Sequence, residues 1–399
     1  MSAPGCRAPN VPGRWALWGR RANPSPFTTA TRLSPSSQAG RHRPPSRPSR
    51  SAAILLGLAA LALASPAEAA DPEALTARAF GVEARIEIEP LGERAGTRDA
   101  LAGALEAIRR AEALTAVDPG SLPFVEEVAG SVAELNRNAG LGPVEVDLHL
   151  LALLQRTLDF CRFSDGAFGP LGGRLAGLWG LRRPVAGKPT LAALSQASGS
   201  ASCDRLVLDP AARSAALSAG SLIDLLAFER AFAVDRAIAV LRELGAESGW
   251  VEIGHVARAF GGGPDGAGWP IAVDATDPVT TPTERILLRD RALALAASWV
   301  DPIEIAGDRA APFLDHRTGR PVAGTRAVLA VTETATDAAG LAAALFVLPQ
   351  RVGLFRLGGL QPQPAVKWFL GSGEGTPLLA ESGWAELPKW KPPKTPLAR

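Results

Sequence analysis

The segment Ala311–Val322, "APFLDHRTGRPV", sets Asp315, His316, Arg317 and Thr318 side by side, in a chain of 399 residues with only four histidines. A carboxylate, an imidazole and a guanidinium in one loop are what proton transfer or phosphate recognition would use. Thr318, Gly319 and Pro321 equally describe a plain turn, with glycine free to take positive φ and proline fixing the exit. The other candidates carry the same two meanings. Asp224 precedes the apolar run from Leu225, where it could contact a ligand or cap a helix for about 1 kcal/mol. Arg230 could meet a phosphate or pair with a surface carboxylate for almost nothing. His255 could be a ligand or a packed strand residue, and Asp235 with Arg236 could be a solvated helix face. Trp179, Trp269 and Trp299 suit a core, or a wall on which an aromatic ring stacks.

The elements that must position these residues alternate between helix and strand. "ARIEIE" alternates like a half-buried strand, and Asp99 reads as the cap of a helix with Leu101, Leu105 and Ile108 on one face. "VEVDLHLLALLQRTLDFCRF" is a strand-like entry followed by a helix whose first amides Asp147 can accept from, with His149 on its solvated side. "LIDLLAFERAFAVDRAIAVLRELG" reads as a helix stopped by Gly245. "GWVEIGHVARAFG" and "GWPIAVDATDP" read as two strands joined by the long hairpin tip "GGGPDGAG", which has neither the Lys nor the following helix of a phosphate loop. "TRAVLAVTETA" is a further strand, and "TDAAGLAAALFVL" a helix capped by Thr336 or Asp337. The mixture, with hairpin-like connections, indicates an α+β fold.

Composition narrows the class. Residues 1–70 hold nine arginines and one acid, so from Asp71 onward 33 basic residues face 39 acidic ones, and nothing favours nucleic acid. Residues 1–50, rich in Pro, Ser and Arg, read as a disordered leader or an over-extended gene start. Residues 51–70 read as a secretory signal peptide: an apolar run of about 14 residues, too short for a membrane span, followed by Ala67-Glu68-Ala69. A short anchor or a transit peptide is the alternative. The main domain then covers 71–385, and 386–399, rich in Pro and Lys, reads as an exposed tail. Cys161 and Cys203 lack metal-ligand spacing. They could pair in an oxidising compartment, but two buried free thiols are the simpler expectation.

Four stretches in order resemble the ApbE family, the FAD:protein FMN transferases: "SVAELNRNAG", "SDGAFGPLGGRLAGLWG", "IDLLAFERAFAVDRA" and "FLDHRTGRPV". The resemblance implies two mixed sheets flanked by helices, with a flavin groove between two halves. It implies transfer of FMN from FAD to a Thr or Ser of an exported redox protein, aided by Mg²⁺ and a base, in the periplasm or cell envelope. Residue by residue, Asp224, Ala167 and Phe168 fall at flavin-contacting positions, Arg230 at the flavin-site Lys, and Ser298 in the "AASW" that stands for A-T-S-G. Ala227 falls at the position whose backbone carbonyl binds metal. Gly169 stands where the family has Asp, and "GHV" where it has G-G-D. The Asp and Thr that would bind Mg²⁺ are Ala339 and Ala343, and the candidate base is Pro312.

Two main outcomes follow. Asp224, Asp337, His316 or His255 could supply the missing ligands and base in a rearranged active site. Asp337 is a poor substitute, since two residues along a helix is about 200° around its axis. Otherwise the chain is a catalytically impaired homologue that binds flavin or acts as a scaffold; a protein without flavin is the third class.

Overall fold

The computed structural model describes residues 72–92, 94–118, 128–273, 284–305, 307–324, 326–370 and 378–390. The leader and the apolar run lie outside these. The described part opens with the hairpin β1 (Glu73–Ala79) and β2 (Val82–Ile88), in which Ala84, Ile86 and Ile88 point inward and alternate with Arg85 and Glu87. Helices α1 (Arg94–Thr115) and α2 (Val132–Arg137) follow, then β3 (Pro143–Glu145) and α3 (Leu148–Phe163). Asp147 caps α3 as expected, accepting from the His149 and Leu150 amides at 2.9 and 3.4 Å. Asp99 does not cap α1, which starts five residues earlier, after Leu91 N–H has bonded the buried Thr97 hydroxyl (2.9 Å).

Next come α4 (Gly173–Trp179), α5 (Leu191–Gly199), β4 (Leu206–Asp209), β5 (Ser214–Leu217) and α6 (Glu229–Glu243). The expected start of α6 near Leu225 moves to Glu229. Asp224 N–H is taken by Pro170 O (2.9 Å), and its carboxylate accepts from Leu226 N (2.9 Å), so Leu225–Phe228 forms a turn instead.

The remainder is mostly strand: β6 (Gly249–Ile253), β7 (Val256–Phe260), β8 (Trp269–Val273), β9 (Glu284–Leu288), β10 (Arg291–Ala297), β11 (Ile303–Ile305), β12 (Asp308–Ala310), β13 (Leu314–Asp315), β14 (Arg320–Pro321) and β15 (Arg326–Thr332). Helices α7 (Ala335–Val347) and α8 (Gln350–Gly358) and strands β16 (Ala365–Leu370) and β17 (Leu378–Ser382) complete it. Thr334, two residues before the expected cap, caps α7 by accepting from Asp337 N.

One antiparallel sheet, β1-β2-β6-β7-β10-β15-β16-β17, organises the molecule. Helices α1, α6 and α7 pack on one face in the main core, which takes Val328 and Ala330 from β15. The ribbon β8–β9 and Trp384 cover the other face, taking Leu329 and Val331. With both faces covered, "AVLAVT" is apolar without alternation. Smaller sheets are β3-β5-β4, β11–β12 and β13–β14. The fold is α+β, as expected.

Three expectations are corrected. "GWVEIGHVARAFG" is not one strand but the hairpin β6–β7, turning at Gly254–His255. The glycine-rich loop closes no hairpin, because β7 pairs with β6 and β10 while β8 pairs with β9. Cys161 and Cys203 form a disulfide joining the end of α3 to the segment before β4. The tail is also not wholly exposed. Leu387 is buried in the second core, and Pro388 O and Trp390 N bond Leu287 N (2.8 Å) and Arg285 O (3.0 Å). The edge of β9 away from β8 offers those groups, and chain added there satisfies them.

Candidate functional site

A groove of about 530 Å³ opens beside α4, the Asp224–Phe228 turn, β10 and α7. That volume suits a nucleotide-sized ligand. Phe168 reaches its wall because α3 ends in a tight loop. The buried Ser164 hydroxyl donates to Phe168 O (2.8 Å) and accepts from Phe168 N (3.0 Å), so the ring is fixed and stacks on Phe228 at 5.3 Å. Ala167 is buried behind that wall, where its carbonyl accepts from His316 N (2.9 Å). Gly169 also faces the groove. A Cβ there would lie 2.7 Å from both Cβ and Sγ of Cys161, so the Cys161 side chain occupies the space a side chain at 169 would need.

Asp224 is held from several sides. Asn136 clamps the preceding residue, accepting from Ile223 N (2.7 Å) and donating to Ile223 O (3.0 Å). Arg182, just after α4, donates through Nε (3.1 Å) and Nη2 (2.6 Å) to the Asp224 carboxylate. The same guanidinium reaches Glu229 through Nη1 (3.2 Å) and Nη2 (2.9 Å). Burial pushes Glu229 up from the usual carboxylate range, against the pull of Arg182. Burial also opposes the Arg182 charge, but Glu229 and Asp224 outweigh it and push that pKa up.

Ala227 lies in the turn and lines the groove, as does Arg230 in the first turn of α6. Arg230 Nη1 donates to Asp301 (3.0 Å), while its Nε is buried without a partner. Ser298 does not line the groove: its hydroxyl accepts from Arg326 N (3.1 Å) and its amide donates to Arg326 O (3.0 Å), which ties two strands together. His255 is exposed at the β6–β7 turn, on the groove's edge.

His316 sits in the β13–β14 turn, where Asp315 accepts from Arg317 N (3.0 Å) and Gly319 N donates to Asp315 O (2.7 Å). The loop is therefore a turn, but one that presents an imidazole to the groove. His316 is 7% exposed, and its Nδ1 has no partner. A Cβ at Gly172 would come within 2.6 Å of Nε2. Burial pushes the imidazole down to about 4, despite Asp315 and Asp224, so it is neutral at ordinary pH. That is far from the range in which a general base works best near pH 7. A neutral ring with one donor and one acceptor is better suited to hold a ligand than to take its proton.

The metal positions are apolar. Ala339 and Ala343 put methyl groups on the groove, Pro312 lines it too, and Asp337 is ion-paired to Arg156. Burial raises Asp337 above the usual carboxylate range, although Arg156 opposes this. Among the described residues, no three His, Cys, Asp or Glu side chains gather to hold a metal. Mg²⁺ asks for several oxygen ligands in octahedral array, and an Ala227 carbonyl with methyls at the two side-chain ligand positions does not meet that demand.

Sequence reasoning missed Arg182, Glu229 and the role of Asp235. The last does not merely face solvent: it accepts from Ala335 N (2.9 Å) and Thr336 N (2.8 Å) at the start of α7, and from Arg258 (2.6 Å). Trp179 donates to Gly319 O (2.7 Å), bracing the His316 turn, and Trp269 belongs to the second core.

An antiparallel sheet backed by helices, with a groove and a few fixed polar groups at its side, defines an α+β protein with room for a nucleotide-sized ligand. A sequence profile of the ApbE family matches residues 102–361, and the chain belongs to that family. It is 28% identical over 229 residues to the FAD:protein FMN transferase of Haemophilus influenzae, covering 54% of this chain and 65% of that relative. It is 30% identical over 236 residues to the enzyme of the same name from Treponema pallidum, covering 55% and 65%. The matches thus span just under two thirds of these relatives. The crystal structure of the ApbE protein from Thermotoga maritima shares the fold at TM-score 0.68 and 23% identity, covering 79% of this chain and 98% of that one. The apo flavinyl transferase ApbE of Pseudomonas stutzeri does so at 0.65 and 22%, covering 79% and 96%.

Proposed function

We propose that this chain binds FAD in the groove and works in the reaction class of its relatives, passing FMN from FAD to a Thr or Ser hydroxyl of an exported redox protein. One observation carries the reading: Phe168, Asp224 and Arg230, which the resemblance assigns to flavin contact, lie on one wall system around about 530 Å³. FAD supplies the phosphoester that forms and the adenylate that leaves. The chain's own residues bind and orient. Phe168, fixed by Ser164 and Phe228, offers an apolar face; Arg230 offers positive charge; His316 offers a neutral donor and acceptor. His255, exposed at the groove's edge, is the imidazole an incoming hydroxyl would meet. The Cys161–Cys203 disulfide supports an exported, periplasmic or envelope location, in line with the signal-like run at 51–70.

The resemblance calls for Mg²⁺, but the residues do not fit it, so no step is drawn through a metal. The methyls of Ala339 and Ala343 favour a second reading, in which the chain binds flavin without transferring it. Incubating the protein with FAD and a Thr-bearing acceptor, with Mg²⁺ or EDTA, and following fluorescent flavin on the denatured acceptor separates the two. Labelled acceptor supports transfer, and binding without label supports the second reading. Absence of FAD binding at high micromolar concentration sinks both.

A further inference from the structure

Asp224 and Glu229 flank the Leu225–Phe228 turn that forms one side of the groove, and their side chains are only 4% and 7% exposed. Two carboxylates withdrawn from water at this separation repel, and each needs a cation or a proton. Arg182 serves both, meeting each carboxylate with two N–H···O contacts of 2.6 to 3.2 Å. Only a guanidinium offers enough donors in a fixed plane to do so; an ammonium would satisfy one acid well or two poorly. Arg182 therefore staples the two ends of the turn that carries Ala227, and it pins the segment after α4 to the same place.

The α7 residues that line the groove lack what a divalent ion would bind: Ala339 and Ala343 present methyls, and Asp337 is committed to Arg156. Of the carboxylates on the groove, Asp224 is committed to Arg182, Asp301 is paired with Arg230, and Glu304 is exposed. In a metal-dependent site an ion orders its ligand loop on arrival. Here the loop is already ordered by a cation that is part of the chain.

We infer that this chain takes its flavin nucleotide without a divalent cation, and that Arg182 is the positioning residue that holds Asp224 and the Leu225–Phe228 turn in the form the ligand meets. The inference rests on the flavin reading above.

The test is a titration of the full chain with FAD, followed by calorimetry and flavin fluorescence, in EDTA and in millimolar Mg²⁺. Wild-type affinity should agree within about twofold between the two conditions, since the described residues hold no ligand set for the ion. Arg182→Ala should weaken binding by about tenfold or more in both, and Arg182→Lys by about three- to tenfold, because the fork geometry is lost while the charge stays. Millimolar guanidinium should restore part of the affinity of Arg182→Ala, which a general loss of packing would not allow. Glu229→Gln, which keeps the Arg182–Asp224 contact and loosens the other end of the staple, should lose less affinity than Arg182→Ala. If Arg182→Ala does not melt cooperatively, the Arg182→Lys titration decides: affinity equal to wild type removes the positioning role. A tenfold or greater gain from Mg²⁺ in the wild type overturns the metal-free inference and leaves the flavin reading standing. Failure to bind FAD in either condition removes both.

Discussion

Asp235→Ala should destabilise the fold by about 3 kcal/mol and loosen the groove through a residue that does not line it. The Asp235 carboxylate, 16% exposed, projects from α6 and accepts four hydrogen bonds: from Arg258 Nη1 (2.6 Å), Ala335 N (2.9 Å), Thr336 N (2.8 Å) and Thr336 Oγ1 (2.8 Å). It thus caps α7 from another helix and pairs with a cation on β7. Losing a cap costs about 1 kcal/mol. Losing a negative charge at a helix N-terminus adds about 0.5 kcal/mol. Stranding one partner of a fully buried ion pair costs about 3–5 kcal/mol, but Arg258 is 17% exposed and retains some water, so about 1.5 kcal/mol is the fair share here. For a chain of this size about 2 °C of melting temperature goes with each kcal/mol, so thermal unfolding by circular dichroism should move down by roughly 6 °C. Asp235→Asn keeps an acceptor and should lose about half as much. Because α7 carries Ala339 and Ala343, FAD affinity should weaken in parallel. A cooperative Asp235→Ala melt within about 2 °C of wild type would refute the reasoning, as would additive effects when it is combined with Arg258→Ala, since paired residues must couple.

Reducing the Cys161–Cys203 disulfide reopens a loop of 42 residues and should cost about 4 kcal/mol by loop entropy, measured as a drop in melting temperature with reductant that the Cys161→Ser/Cys203→Ser double variant no longer shows. Gly169→Asp, which restores the Asp that the resemblance expects there, should destabilise strongly against Cβ and Sγ of Cys161, and changing Cys161 and Cys203 both to Ala, which removes the sulfur but keeps Cβ, should relieve part of that loss; equal stability losses in the two backgrounds would show that the sulfur is not the obstacle. His316 gives a pH signature. Its folded pKa, about 4, lies below its ordinary 6.5, so the unfolded chain takes up the proton first as pH falls. The stability it contributes is intact above about 6.5 and is lost as pH drops through 4, by up to ~3 kcal/mol. His316→Asn should flatten the stability curve across that window in denaturant titrations, and a variant curve parallel to wild type would refute the assignment.

What the sequence made legible was local. Asp147 caps α3 by accepting from amides two and three residues along, and β15 and α7 declare themselves by composition. The turn at Gly254–His255 was hidden because apolar alternation continues on both sides of it, so a hairpin and a single long strand share one pattern. Arg182 was invisible for a different reason: its partners lie 42 and 47 residues away, and nothing in "LWGLRRP" says which acids the fold will bring to it. Ser298 fell at a site position in the resemblance, yet its hydroxyl holds backbone.

His316 and Gly169 carry the argument furthest. His316 stood out as one charged-looking residue among several, but burial makes it neutral, so its place at the site was readable and its chemistry was not. Gly169 looked like a lost aspartate, and Cys161 with Cys203 like two unrelated thiols. A Cβ at 169 would stand 2.7 Å from both Cβ and Sγ of Cys161, so the space cannot hold both an aspartate and this side chain. The Cys161 side chain, tied to Cys203, thus fills the volume beneath the groove that a side chain at 169 would need, and an oxidising compartment is the condition under which that tie forms.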